Sequence, residues 1–157
     1  MNYATIKKTD VANGPGVRVS LFVSGCTHHC KGCFNSEAWD FHYGQAYTEE
    51  TEKEILLALA PDYIRGLSLL GGEPMEPENR GAVLSLVKKV RERYPQKTIW
   101  CYTGYTYEEI QANPRLNASL PYIDVLVDGR FEQALFSPYL EFRGSSNQRI
   151  LKLNKAR

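Results

Sequence analysis

The chain has no apolar run long enough to cross a bilayer anywhere in its 157 residues. Residues 1–8 lack the apolar segment of a secretory signal. There is no excess of charge of either sign: 19 Lys and Arg stand against 18 Asp and Glu, for a net charge of +1. No basic face is advertised, so neither a membrane nor nucleic acid is expected as the partner. Internal repeats, low-complexity tracts and linkers are also absent, and the length fits a single domain spanning 1–157. Cysteine is scarce. Of four, three fall on one loop, which is not the layout of a disulfide framework. That usage points to a reducing, cytoplasmic setting in which thiols are kept for metal. With 43% hydrophobic residues, the chain can still bury a core.

What is present is concentrated in Ser24-Gly25-Cys26-Thr27-His28-His29-Cys30-Lys31-Gly32-Cys33-Phe34, a C-x3-C-x2-C triplet. It follows an apolar run, Val17–Val23, that alternates like a strand. Three thiolates on a tight loop suit zinc, copper(I) or an iron–sulfur cluster. Structural zinc closes with four ligands, commonly as two separated pairs. A cubane is usually held by four thiolates, so three would leave one iron open to a ligand. On the triplet alone, a zinc knuckle completed by His28, His29, His42 or Cys101 stays open.

The rest of the chain alternates. Asn13-Gly14-Pro15-Gly16 is a turn between an extended N-terminal arm and the first strand. Thr48 caps a helix over 49–60, which Pro61 ends. A strand over 67–70 leads to Gly71-Gly72-Glu73-Pro74, then a helix over 78–94 with Val83, Leu84, Leu86, Val87 and Val90 on its apolar face. A strand over 98–103, a helix from Thr106 to Ala112, a strand over 123–127 and an extended piece over 149–153 complete the order. Strand–helix alternation predicts an α/β fold built on a parallel sheet. A full eight-fold barrel needs about 250 residues, so a partial βα barrel or a short open sheet is expected. In such folds ligands sit at the carboxyl ends of strands, where the cysteine loop and the Gly-Gly-Glu-Pro turn both fall. Two glycines at a strand end let backbone approach a ligand closely. Glu73 adds negative charge there. An amino-acid group could chelate the open iron while the Gly71-Gly72 backbone holds its ammonium.

The triplet followed by Gly-Gly-Glu-Pro resembles the radical S-adenosylmethionine superfamily. More narrowly, the chain resembles the activating proteins of anaerobic ribonucleoside-triphosphate reductases, which are glycyl-radical activases. The resemblance runs over nearly the whole length. It is carried by Asn13-Gly14-Pro15-Gly16, Gly25-Cys26, Cys30, Gly32-Cys33-Phe34-Asn35, Trp39, Gly71-Gly72-Glu73-Pro74, Thr103-Gly104-Tyr105, Asp128-Gly129-Arg130-Phe131 and Arg143-Gly144-Ser145-Ser146-Asn147-Gln148. Gly32 agrees with this subfamily, where other superfamily members place an aromatic residue. Phe34 replaces a frequent tyrosine, and Glu73 an occasional aspartate.

The resemblance implies a truncated radical-SAM barrel. A [4Fe-4S] cluster would be held by Cys26, Cys30 and Cys33, with S-adenosyl-L-methionine bound near Gly32, Cys33, Phe34, Gly71, Gly72 and Glu73. Reductive cleavage of that cofactor would give methionine and a 5′-deoxyadenosyl radical, which takes a hydrogen from a glycine Cα of the reductase. No catalytic side chain beyond the cluster is implied. Reduced flavodoxin or a similar donor would supply electrons, and the assembly would be a homodimer or a heterotetramer with the reductase. The alternatives are an activase of the pyruvate formate-lyase type, generally longer and without the 143–148 pattern, and a zinc-stabilised binding module. His28 and His29 are expected to be solvated, Cys101 to be an inert buried thiol, and Trp39 to pack the irregular segment. Tyr102, Tyr105 and Tyr107 could stack on adenine or simply pack. Residues 143–148, too polar for a core, are expected to order a loop, dock a partner or form a plain surface turn.

Overall fold

The computed structural model describes residues 1–153. Its elements are β1 (Asn2–Asp10), β2 (Val17–Val23), β3 (Gln45–Ala46), α1 (Glu49–Ala58), β4 (Ile64–Gly71), α2 (Arg80–Arg93), β5 (Thr98–Tyr102), α3 (Tyr107–Ala112), β6 (Val125–Asp128) and β7 (Arg149–Lys152). All seven strands form one sheet in the order β3-β1-β2-β4-β5-β6-β7. The four central strands, β2, β4, β5 and β6, are parallel. The flanks are antiparallel, which corrects the expectation of a parallel sheet. The cause is local: the short turn 11–16 can join β1 to β2 only as an antiparallel pair. Among the described residues no helix is long and apolar enough to cross a membrane.

The two sheet faces differ in chemistry. Val19, Leu21, Val23, Leu67, Leu69, Ile99, Cys101 and Leu126 form one core with Ile55, Leu56 and Leu59 from the α1 segment and Val83, Leu86, Val87 and Val90 of α2. Strand alternation sends Arg18, Ser20, Ser68, Trp100 and Tyr102 to the other face. Thr48 caps α1 as expected, with its hydroxyl accepting from the Thr51 amide. The second helix begins at Arg80 rather than 78, and its N-cap residue Asn79 makes no side-chain capping bond. That amide instead donates to the backbone oxygens of Ser24 (3.0 Å) and Glu73 (3.1 Å), tying two loops together.

Arg18 sits fully buried on the polar face. Its Nε donates to Ser68 Oγ at 2.8 Å. The terminal nitrogens donate to Thr98 Oγ1, Pro15 O, Leu67 O and Thr98 O. Burial pulls its pKa down to about 10, so it remains charged at neutral pH. Oriented carbonyl and hydroxyl dipoles, rather than a bonded carboxylate, therefore hold this cation beneath the sheet face. Arg18→Ala leaves a cavity and strands these acceptors. It is expected to cost about 3–5 kcal/mol and to lower the thermal midpoint by about 10 °C, as read by calorimetry.

Candidate metal and cofactor site

The site is built where β2 and β4 end side by side, with Val23 registered against Gly71. Beyond the strands the pairing continues. Gly72 N donates to Val23 O at 2.8 Å, and Glu73 N to Gly25 O at 2.7 Å. Gly25 N and Cys26 N in turn donate to Ala38 O and Trp39 O, so the short helical turn Ser36–Trp39 backs the cysteine loop. The cysteine loop and the Gly-Gly turn are thus zipped together by backbone, which is the convergence expected from the strand order.

Between them lies a cleft of about 370 Å³, within the range of small-molecule sites. Cys26, Cys30, Cys33, Phe34, Gly71, Gly72 and Glu73 all line it, joined by Tyr102, Thr103 and Gly104 from the end of β5. Gly32 does not. Its positive φ of 76° turns the chain between Cys30 and Cys33, a conformation costly for other residues. The three loop thiols are free and half-buried. Burial pushes the Cys26 thiol up to about 11, reinforced by the nearby carboxylates of Glu73 and Glu76 and opposed by backbone amides of His28 and His29. Burial also raises Cys30. Two residues of the lining, Trp39 and Tyr102, each carry a buried polar atom, Nε1 and Oη, without a hydrogen-bond partner.

Every candidate fourth zinc ligand is engaged or placed elsewhere. Cys101 lies wholly buried in the helix-covered core, its thiol pushed well above the ordinary range by burial. His28 Nε2 is 2.8 Å from Glu73 Oε1. His29 stacks on Trp39 with centroids 4.4 Å apart. Neither His29 nor His42 lines the cleft. Among the described residues no three His, Cys, Asp or Glu side chains are gathered for a single metal ion. Three soft thiols are the donor type that iron–sulfur clusters use.

Residues 12–151 match a family model described as a 4Fe-4S single cluster domain. The chain is 52% identical over 152 residues to the anaerobic ribonucleoside-triphosphate reductase-activating protein of Vibrio cholerae, covering 96% of this chain and 97% of that one. It is 45% identical to the protein of that name in Pasteurella multocida, over 99% of both chains. It is also 45% identical to that of Enterobacteria phage T4, over 96% of this chain and 93% of the relative. The chain belongs to the family of anaerobic ribonucleoside-triphosphate reductase-activating proteins.

Within this family fold, the polar tail has a definite place. Gly144 N and Ser145 N donate to Gln148 Oε1, and Gln148 Nε2 donates to Gly129 O. Asn147 Nδ2 donates to Arg130 O. The segment is a self-bonded turn interlocked with residues 129–132, and Arg143, Gly144 and Gln148 form a wall of the cleft. Of the readings open for it, loop ordering is the one the bonds to residues 129–132 display.

One expectation about these histidines needs correcting. His28 is not solvated: its side chain is 4% exposed, against Glu73 at 1%. His29 is exposed, as expected, with its ring stacked on Trp39. Of the three tyrosines, Tyr102 alone lines the cleft. Tyr105 packs edge-on to His28 and donates to Glu76, and Tyr107 packs against the core. Glu73 itself is saturated. Its oxygens accept from Gly104 N (2.7 Å), Thr103 Oγ1 (2.8 Å) and Met75 N (2.9 Å) besides His28. Sequence reasoning missed Glu76, Asn79 and Thr103 as members of this network. The one available hint was the polar run that follows Gly71-Gly72.

Proposed function

We propose that this chain installs the glycyl radical on an anaerobic ribonucleoside-triphosphate reductase, with a [4Fe-4S] cluster and S-adenosylmethionine as its working parts. The observation that carries the reading is the thiol triplet seated against the Gly71-Gly72 backbone, with the alternative fourth ligands engaged elsewhere. Cys26, Cys30 and Cys33 would hold the cluster and leave one iron without a protein ligand. When bound and reduced, the cluster supplies the electron that splits S-adenosylmethionine into methionine and a 5′-deoxyadenosyl radical, which removes a hydrogen atom from the target glycine.

The protein's own part is positioning and exclusion. The amides of Gly72 and Glu73 are already spent on Val23 and Gly25, and the Glu73 carboxylate already accepts from four donors. A ligand ammonium would therefore meet carbonyl oxygens of this turn, with the Glu73 charge close behind. Phe34, 65% exposed and packed on Phe131 and Phe136, marks the mouth where a glycine-bearing segment would enter.

The sheet ends at β3 and β7, and the core helices cover its opposite face. This arrangement supports a truncated radical-SAM barrel whose open flank admits a loop of another protein. A flavodoxin-like donor in a reducing cytoplasm, and assembly with the reductase, follow from the same reading.

The test mixes anaerobically reconstituted protein with a strong reductant, S-adenosylmethionine and the reductase. The expected results are a brown protein with about four irons per chain, a doublet glycyl signal in electron paramagnetic resonance, and 5′-deoxyadenosine. One tightly held zinc, with no signal, overturns the proposal.

A further inference from the structure

Each of the three residues between Cys26 and Cys30 is anchored from outside the loop. Thr27 Oγ1 donates to Glu76 Oε1 at 2.8 Å, on a carboxylate that also accepts from Tyr105 Oη. His28 Nε2 faces Glu73 Oε1 at 2.8 Å, and because an ionised carboxylate only accepts, that nitrogen carries the hydrogen. The His28 ring lies edge-on to Tyr105, with centroids 4.5 Å apart. It also rests directly on Gly104, where a Cβ would come within 2.5 Å of His28 Cδ2. His29, at a φ of 51°, lies flat on Trp39 with 11° between the planes. Glu73 and Glu76 are themselves nearly inaccessible and fixed on the Gly-Gly-Glu-Pro turn.

We propose that residues 27–29 are an external tether that pre-shapes the cluster loop, with His28 as the positioning residue that sets Cys26 and Cys30 through Glu73. This rests on the cluster reading above and deepens it. A short loop holding two ligands would otherwise have to be ordered when the cluster binds, at an entropic cost that lowers affinity. Outer partners that fix a ligand's direction commonly matter as much as this for metal retention. The same carboxylate that grips His28 also grips Thr103 and Gly104, so the tether ties the ligand loop to the β5 wall of the cleft.

Four proteins decide it: wild type, His28→Ala, His28→Gln and Gly104→Ala. Gln can bring an amide N–H to the place of Nε2. Gly104→Ala keeps His28 in the chain but drives its ring off its seat. The loaded proteins are challenged with an iron chelator, and the metal-free proteins with iodoacetamide, following Cys26 and Cys30 by mass spectrometry. His28→Ala and Gly104→Ala are expected to lose iron about ten- to a hundredfold faster than wild type, and their metal-free thiols to alkylate faster. His28→Gln is expected to stay near wild type in both assays. Wild-type rates of iron loss and alkylation in His28→Ala overturn the tether. If melting shows that His28→Ala does not fold, Thr27→Val and Gly104→Ala carry the test with the same criteria. If the wild type takes up no iron, the cluster reading fails instead, and the alkylation arm still decides the tether.

Discussion

With Cys30 replaced by alanine, the protein is expected to take up no stable cluster, and the reductase to acquire no glycyl radical. Cys30 lies mid-triplet, and Cys33 N donates to Cys30 O at 3.1 Å, so the two proposed ligands share one tight turn. Two remaining thiols cannot grip a four-iron centre. Because loss of a mere outer-shell partner already costs about 10–100-fold in metal affinity, loss of a ligand is expected to exceed about a hundredfold. Cys30 stands outside the apolar core, so the thermal midpoint of the metal-free protein should hardly move. Cys101→Ala is the control. Its sulfur lies in the helix-covered core, and the variant should keep the cluster while losing some packing. The sign with pH follows from burial. The Cys26 thiol is raised to about 11 and Cys30 is raised as well, so these two thiols are protonated at neutral pH in the metal-free protein. Loading must release those protons, so affinity rises with pH up to that range and weakens on acidification. Iron content and the glycyl signal, measured side by side, check both halves.

The central strands and the site's location were legible because they depend on local patterns. Val17–Val23 and the run ending at Gly71 are apolar and stop at turn residues, and parallel order then forces their loops onto one rim. The N-terminal segment read only as an arm. Its residues Lys7, Lys8 and Thr9 look solvated, and only pairing with β2 shows that it is a strand. Arg18 gave no warning of full burial, because its acceptors come from Pro15, Ser68, Leu67 and Thr98, scattered over three elements. His28 was misread for the same reason. A histidine in a polar loop is ordinarily wet, and its partner Glu73 lies 45 residues away. Sequence periodicity reports which side of an element is apolar. It carries no information on which buried carboxylate a loop side chain will find.

Gly71→Ala is expected to damage both stability and activity. Gly71 has a φ of 107°, outside the range that other residues adopt easily, and a Cβ there would lie 2.6 Å from Val23 O. The obstruction is backbone in a paired strand, so it cannot swing away. Strain of this kind costs about 1–3 kcal/mol, and the clash adds to it. A loss of about 3–4 kcal/mol corresponds to a midpoint about 6–16 °C lower for a chain of this size. Activity should fall by more than the unfolded fraction explains. To relieve the clash, Val23 must move, and Val23 leads directly to Gly25 and Cys26, so the thiols shift relative to the Gly71-Gly72 turn. Gly81→Ala gives the comparison. That glycine lies in α2 with nothing within 4 Å of a Cβ, and the substitution should add about 0.5–1 kcal/mol through helix propensity alone. If the two variants melt alike, the close backbone approach at Gly71 is not what holds the two loops in register.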